Sequence, residues 1–237
     1  CSKMFFVHNR LFIFKELIKL KNNKSWKFYK KIIIEDNVGD PVRYFLYPKS
    51  SGNRINHVYH LSILSSEFNV NLKKINKVFE FGGGYGCMAR IFSKINKKIS
   101  YVCFDTNYVN LLQYYYLKQN NLNVGFKKKN NYFLISNFYG NKKFLLKKFH
   151  NHFFIANWSL SETPIKFREQ FLKMIENSKF ILISFQEYFD GIDNLSYFLK
   201  FKKKLDKNFH VKILKNQYYN GNIFKRQNHY FLIGKKL

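Results

Sequence analysis

A chain of 237 residues that is 46% hydrophobic and 20% aromatic can bury a sizeable core, which excludes a disordered polycation despite 42 Lys+Arg against 14 Asp+Glu. Its apolar runs, such as that at 180–185, are broken well short of the roughly 20 residues that a membrane-spanning helix needs. The formal charge of +28 points first to a polyanion, yet only six basic residues are Arg, while Asn and Phe number 28 each, a pattern that A/T-rich codons produce; nucleic-acid sites favour the planar fork of Arg.

From the N-terminus, Leu11, Phe14, Leu17 and Ile18, then Phe28, Ile32 and Ile33, recur at three- and four-residue steps around a polar break at 21–24. This predicts a helical extension over residues 1–37. His8, Asn9 and Arg10 interrupt the apolar residues at 4–14, so no secretory leader is expected, and an opening Cys1 in place of Met leaves open whether native residues precede it. Two Pro and a Gly within 37–48 mark a connection before a helix at about 56–68. The extension is therefore set at 1–55 and the main domain at 56–237.

Short apolar runs then alternate with helical ones, the rhythm of a wound α/β sheet. A strand at 77–81 leads into a glycine cluster and a helix to 95. A strand at 99–105 precedes a helix through 111–117, and a weaker strand follows at 132–136. The strand at 152–156 precedes a helix capped by Thr163, with Pro164 in its first turn, running to 176. A strand at 179–185 and a helix at 194–205 complete the alternation. The runs at 209–214 and 229–233 are separated by a loop holding Asn220, Gly221 and Asn222, too short for a crossover helix, so they should pair antiparallel. The predicted fold is α/β, with five parallel strands, helices on both faces and a C-terminal antiparallel hairpin. Lys runs at 127–129 and 202–204 read as solvated faces. Cys1, Cys87 and Cys103 form no metal-ligand spacing and no disulfide set, which suits a reducing cytoplasm.

In so acid-poor a chain the positions of the acids carry information. Glu80 opens the run Glu80, Phe81, Gly82, Gly83, Gly84, Tyr85, Gly86, an acid followed by alternating glycines between a strand and a helix. Glycines there let the backbone turn sharply and approach a ligand at the helix N-terminus. Asp105 ends the next strand, 25 residues on, where a carboxylate can accept both ribose hydroxyls of a nucleoside cofactor, with Thr106 beside it. A nicotinamide dinucleotide can claim Gly84, Gly86 and Ala89 as a fingerprint. S-adenosylmethionine is preferred: it has no phosphate, its ammonium suits Glu80, and the closing hairpin matches class I methyltransferases and not dehydrogenases.

The segments 80–91, Asp105 with Leu111-Leu112-Gln113-Tyr114-Tyr115-Tyr116-Leu117, Asn157-Trp158-Ser159-Leu160-Ser161-Glu162, and Asp193-Asn194-Leu195-Ser196-Tyr197-Phe198 resemble the bacterial sugar O-methyltransferase family, from about residue 40 to the C-terminus. The resemblance implies a Rossmann-like class I methyltransferase that methylates a hydroxyl of a free, nucleotide-linked or saccharide-borne sugar in surface polysaccharide biosynthesis. It further implies that Glu80, Gly82, Gly84 and Asp105 hold S-adenosylmethionine.

Ligands of open α/β sheets bind beyond the carboxyl ends of the strands. That places Asn157 beside the donor, Trp158 and Ser159 with the acceptor, and Glu162 as a base or orienting group. His57 and His60, three apart on one helix face, are the other candidate bases, whereas His150 and His152 read as structural. Asn194 and Tyr197 are candidate acceptor contacts. Glu187, Asp190 and Asp193 read as a solvated loop, and no metal site is expected. Nucleic acid is the second acceptor class, although neither the Pro-Pro run of adenine N6 enzymes nor a cytosine-enzyme Cys is present. A methyltransferase-like binding module without chemistry is the third alternative, disfavoured by the intact glycine loop and Asp105.

Overall fold

The computed structural model describes residues 10–218 and 227–237. Two helices, α1 (Leu11–Lys21) and α2 (Trp26–Ile32), precede a short antiparallel ladder of β1 (Arg43–Tyr44) and β2 (Tyr47–Ser51), in the segment expected to be only a connection. Helix α3 (Gly52–Phe68) begins four residues earlier than its periodicity suggests, because Ser51 Oγ caps it by accepting from the Arg54 amide at 3.1 Å, a contact worth about 1 kcal/mol. Residue 55 thus lies inside α3, and Ile13, Leu17 and Leu20 of α1 share one apolar cluster with Ile55, Val58 and Leu61.

The sheet follows as β3 (Lys77–Phe81), α4 (Cys87–Ile95), β4 (Ser100–Phe104), α5 (Asn107–Gln119), the two-residue β5 (Val124–Gly125) and β6 (Tyr132–Ile135). Helix α6 (Phe138–Lys148), absent from the sequence-based elements, leads to β7 (Phe153–Asn157). The single helix expected over 163–176 is instead a 3-10 turn, Ser159–Glu162, followed by α7 (Ile165–Glu169) and α8 (Leu172–Glu176). Pro164, not Thr163, holds the capping position; Thr163 Oγ1 donates to the Leu160 carbonyl at 2.8 Å. Then come β8 (Phe180–Gln186), a small ladder of β9 (Tyr188–Phe189) and β10 (Ile192–Asp193), α9 (Asn194–Leu205), β11 (Phe209–Lys215) and β12 (His229–Lys236).

The eight-stranded sheet has the order β11-β12-β8-β7-β3-β4-β6-β5. From β8 to β5 all neighbours are parallel, while β12 is antiparallel to both β8 and β11. The hairpin therefore folds back so that its second strand enters between β8 and β11, and β11 itself runs with the parallel set. The loop carrying Asn220, Gly221 and Asn222 lies outside the described residues.

Strand residues alternate between two cores. Val78, Tyr101, Cys103, Leu134, Phe153 and Ile155 face the cluster built with α1–α5, and Phe79, Phe81, Val102, Phe104, Phe154 and Ile183 face the cluster built with α6–α9. Burial of both faces explains why these strands read as continuous apolar runs. Glu80 is the acidic exception in β3 and is buried.

Candidate active site

The N-terminal segment is tied to the glycine loop by buried charge. Arg54 on α3, fully buried, pairs with Glu35 at 2.7 Å and Asp36 at 3.2 Å, and donates to the Tyr116 hydroxyl at 2.9 Å. Asp36 also pairs with Arg90 on α4 at 2.8 Å and Lys94 at 3.1 Å. Burial raises the Asp36 carboxyl, but the Arg90 hydrogen bond and the charges of Arg54, Lys94 and Arg90 outweigh it, leaving about 2. Removing one partner of such a buried set typically costs about 3–5 kcal/mol. The set locks α3, α4 and α5 around residues 82–86.

Within that loop Gly82, Gly84 and Gly86 have φ of +70°, +55° and +100°, values that glycine adopts without strain. A Cβ at Gly82 would collide with Ser159, whose hydroxyl donates to the Phe81 carbonyl. A Cβ at Gly83 would strike the Cys103 sulfur and the Glu80 carboxyl. Glu80 therefore lies beneath the loop, accepting from the Tyr101 hydroxyl at 2.7 Å; burial raises its carboxyl to about 7.

Asp105 stands at the end of β4. Its carboxyl accepts from the Thr106 amide at 2.8 Å and from Gln113 Nε2 at 3.1 Å, and Gln113 Nε2 also reaches the Gly84 carbonyl at 2.9 Å. Burial raises this carboxyl to about 6 against the stabilising amides of Thr106, Gly84 and Gly83. Two loop amides thus face an acid, an arrangement unlike the outward cradle that a pyrophosphate requires. Curled glycines, a carboxylate for vicinal hydroxyls and a buried acid fit a phosphate-free nucleoside bearing an amino-acid end.

At the carboxyl end of β7 stand Asn157 and, directly after the strand, Trp158. Trp158 has φ 61° and ψ −37°, a strained conformation for a bulky residue and a frequent mark of functional turns. Its indole N–H donates to His229 Nδ1 at 3.0 Å, which leaves the proton of neutral His229 on Nε2. The His60 ring meets Trp158 edge-on at 5.4 Å and Phe231 at 4.7 Å. His60 Nδ1 bonds Asn157 Oδ1 at 3.0 Å, and Ser184 Oγ bonds the same oxygen at 3.2 Å. Among the described residues, His60 Nε2 and Asn157 Nδ2 are buried without a hydrogen-bond partner. Burial lowers the His60 imidazole to about 3, holding it neutral.

His57 differs from His60. It is half-buried, its Nδ1 donates to the Asn53 carbonyl at 2.8 Å, and burial lowers its pKa. A neutral ring with Nδ1–H fixed this way carries its lone pair on Nε2.

A third network holds the 158–163 segment. Arg168, buried and without an acidic partner among the described residues, donates to the Thr163 and Ser161 carbonyls at 2.8 Å each and to Asn194 Oδ1 at 2.7 Å. Ser161 Oγ lies 2.6 Å from Gln186 Oε1, and Gln186 Nε2 reaches Glu162 at 3.3 Å. Glu162 is an exposed residue, but partial burial of its carboxyl raises the pKa against the Gln186 hydrogen bond.

The structure thus gathers His57, His60, Asn157, Trp158 and the glycine loop at one end of the sheet. Ser159 and Asn194 are directed into internal hydrogen bonds, and Tyr197 lies under the Arg168 guanidinium at 4.9 Å. His152 is buried and bonded to the Phe149 carbonyl. Asp193 caps α9 through the Ser196 amide at 2.9 Å, and no group of metal-ligating side chains occurs among the described residues. Sequence reasoning missed Gln113, Gln186 and His229. Gln113 lies two helical turns beyond Asp105 in a segment already singled out; His229 is brought opposite Gln186 only by the β12–β8 register.

No protein-family model matches the chain, and neither does any curated protein. Solved structures do. The methyltransferase domain of bacterial CtHen1 aligns with TM-score 0.52 at 13% identity, over 77% of this chain and 99% of its own. Precorrin-6y C5,15-methyltransferase of Geobacter metallireducens aligns with TM-score 0.50 at 11% identity, over 87% and 98%. A protein of Pyrococcus horikoshii described as a candidate RNA methyltransferase aligns with TM-score 0.50 at 13% identity, over 91% and 98%. At such identities the likeness establishes the fold, that of the Rossmann-like class I methyltransferases.

Proposed function

We propose that this chain transfers a methyl group from S-adenosylmethionine to a hydroxyl of a sugar or nucleotide-linked sugar. The observation that carries the donor assignment is the glycine loop turned toward Asp105 instead of toward a phosphate, with Gln113 clamping loop and acid together. When bound, S-adenosylmethionine supplies an electrophilic methyl group on sulfonium sulfur. Asp105 would accept the ribose hydroxyls, and Glu80 would support the loop at the amino-acid end.

A sugar hydroxyl is a weak nucleophile, so its proton must leave as the oxygen bonds to the methyl carbon. His57 Nε2 is the base best prepared to accept it, being neutral and oriented by the Asn53 carbonyl. The fully buried His60 instead fixes Asn157. The half-buried Trp158 ring offers a face for a pyranose, and the family-like segments at 111–117 and 157–162 support the sugar reading. RNA is the second reading, favoured by the charge of +28 and by the description of the Pyrococcus neighbour.

Thermal-shift titration with S-adenosylmethionine and NADH tests the donor, and labelled-methyl incorporation into nucleotide sugars, oligosaccharides and RNA tests the acceptor. The methyl donor alone should stabilise the protein. Asp105→Ala should raise its dissociation constant by about 10- to 100-fold, the loss of a charge-assisted hydrogen-bonding group worth about 1.5–3 kcal/mol. Stabilisation by NADH alone would overturn the donor assignment, and label entering RNA alone would replace the sugar.

A further inference from the structure

The acids of this protein are unevenly placed. From 106 to 161 the chain has no Asp or Glu and eight Lys, and this stretch forms α5, β5, β6, α6 and β7, including the edge strand of the sheet. Helix α5 buries Asn110, Gln113, Tyr116 and Leu117 against the core. Its outer stripe carries Tyr108, Leu111, Leu112 and Tyr115, exposed by 87%, 58%, 41% and 58%, at the three- and four-residue steps that place side chains side by side. Beside the stripe Tyr114 stacks on Phe126, at 5.7 Å between ring centroids, and the exposed Lys127, Lys128 and Lys129 follow directly. Lys118 closes the helix.

The chemistry of this face selects its partner. Leu111 and Leu112 have no stacking surface and no hydrogen-bonding group, so an apolar phase suits them better than bases do. An acid-free surface of lysines repels a second copy of itself and attracts anions. An aromatic and aliphatic stripe rimmed by cations is the composition of helices that lie in the headgroup region of anionic bilayers. We propose that α5 and the loop at 126–129 dock this protein on an anionic lipid surface, the stripe entering the headgroup boundary and the lysines meeting lipid phosphates. Because α5 starts two residues after Asp105, docking brings the carboxyl end of the sheet beside the bilayer. This inference does not depend on the acceptor assigned above.

The test is co-sedimentation of the full chain, without methyl donor, with vesicles of phosphatidylcholine alone or with phosphatidylglycerol added. Binding is expected only to the anionic vesicles. It should fall at least tenfold in the double variant Leu111→Ser, Tyr115→Ser and at least tenfold when Lys127, Lys128 and Lys129 are changed to Glu. These side chains are exposed, so melting temperature and donor affinity should stay near those of the parent, and the lysine variant serves independently if the stripe variant is unstable. Failure to bind anionic vesicles would overturn the proposal, as would binding that both variants retain. A dimer dissolved by the stripe variant, or single-stranded RNA held by the same residues without vesicle binding, would assign the face to another partner and overturn it equally.

Discussion

His57 and His60 share a helix and a residue type, but their surroundings give them different chemistry. His60 has both ring nitrogens buried, one on Asn157, and its protonation is suppressed to about 3. His57 is half-buried, and its Nδ1 proton is committed to a helix carbonyl, which leaves Nε2 as the accepting nitrogen. His57→Gln should therefore slow single-turnover methyl transfer by about 100- to 10,000-fold while leaving donor affinity within a factor of a few. A full rate in that variant would pass the role to Glu162, the next candidate, for which Glu162→Gln is the corresponding measurement. At the same scale Glu80, Gly82 and Asp105 were legible in the sequence, because an acid-poor chain with clustered glycines exposes them. The inward turn of Ser159 and Asn194 was not, since a hydroxyl or amide in a loop has no sequence mark for which way it faces.

Among the elements, α1 is held to α3 by an acid in an apolar setting. Glu16 is fully buried, accepts from Asn56 Nδ2 at 3.0 Å on both oxygens, and is raised by burial to about 8. Its folded-state pKa lies above that of the unfolded chain, so between about pH 4.5 and 8 the unfolded state releases a proton that the folded state keeps. The contribution of Glu16 to stability is thus present at low pH and declines as pH rises through that window. Glu16→Gln, whose amide can donate to the unpartnered Asn56 Oδ1, should gain stability over the parent by about 4 kcal/mol between pH 5 and 8.5 in urea titrations. A constant difference across that range would show that Glu16 ionises normally. The divided helix at 163–176 belongs to this scale as well. Pro164 and an amphipathic run predict one helix, but Phe171 turns fully into the ring cluster of Phe81, Phe104 and Phe138, and Arg168 is drawn to Thr163, Ser161 and Asn194. Tertiary packing overrides the local pattern there.

For the whole molecule, nearly all of the formal charge of +28 lies on the surface, because the buried Glu16, Glu35 and Glu80 are almost matched by the buried Arg54 and Arg168. Self-repulsion on this scale opposes the compact state and is screened over about 8 Å at physiological ionic strength. The melting temperature should rise by several degrees between about 20 and 300 mM NaCl, as differential scanning calorimetry can check; a flat response would mean that bound anions or local pairing already neutralise the repulsion.

The sequence by itself determined the α/β alternation, the positions of seven of the eight strands in the main sheet, the glycine loop with its two acids and the antiparallel ending, because periodicity, glycine conformational freedom and the rarity of carboxylates act locally and leave local marks. Tertiary structure alone decided that β12 enters between β8 and β11, that His229 meets Trp158, that Arg168 holds the 158–163 segment and that β5 and β6 of the acid-free stretch form one edge of the sheet while its β7 lies among the central strands. Those outcomes depend on strand order, register and burial of groups far apart in the chain, which no short window of sequence contains.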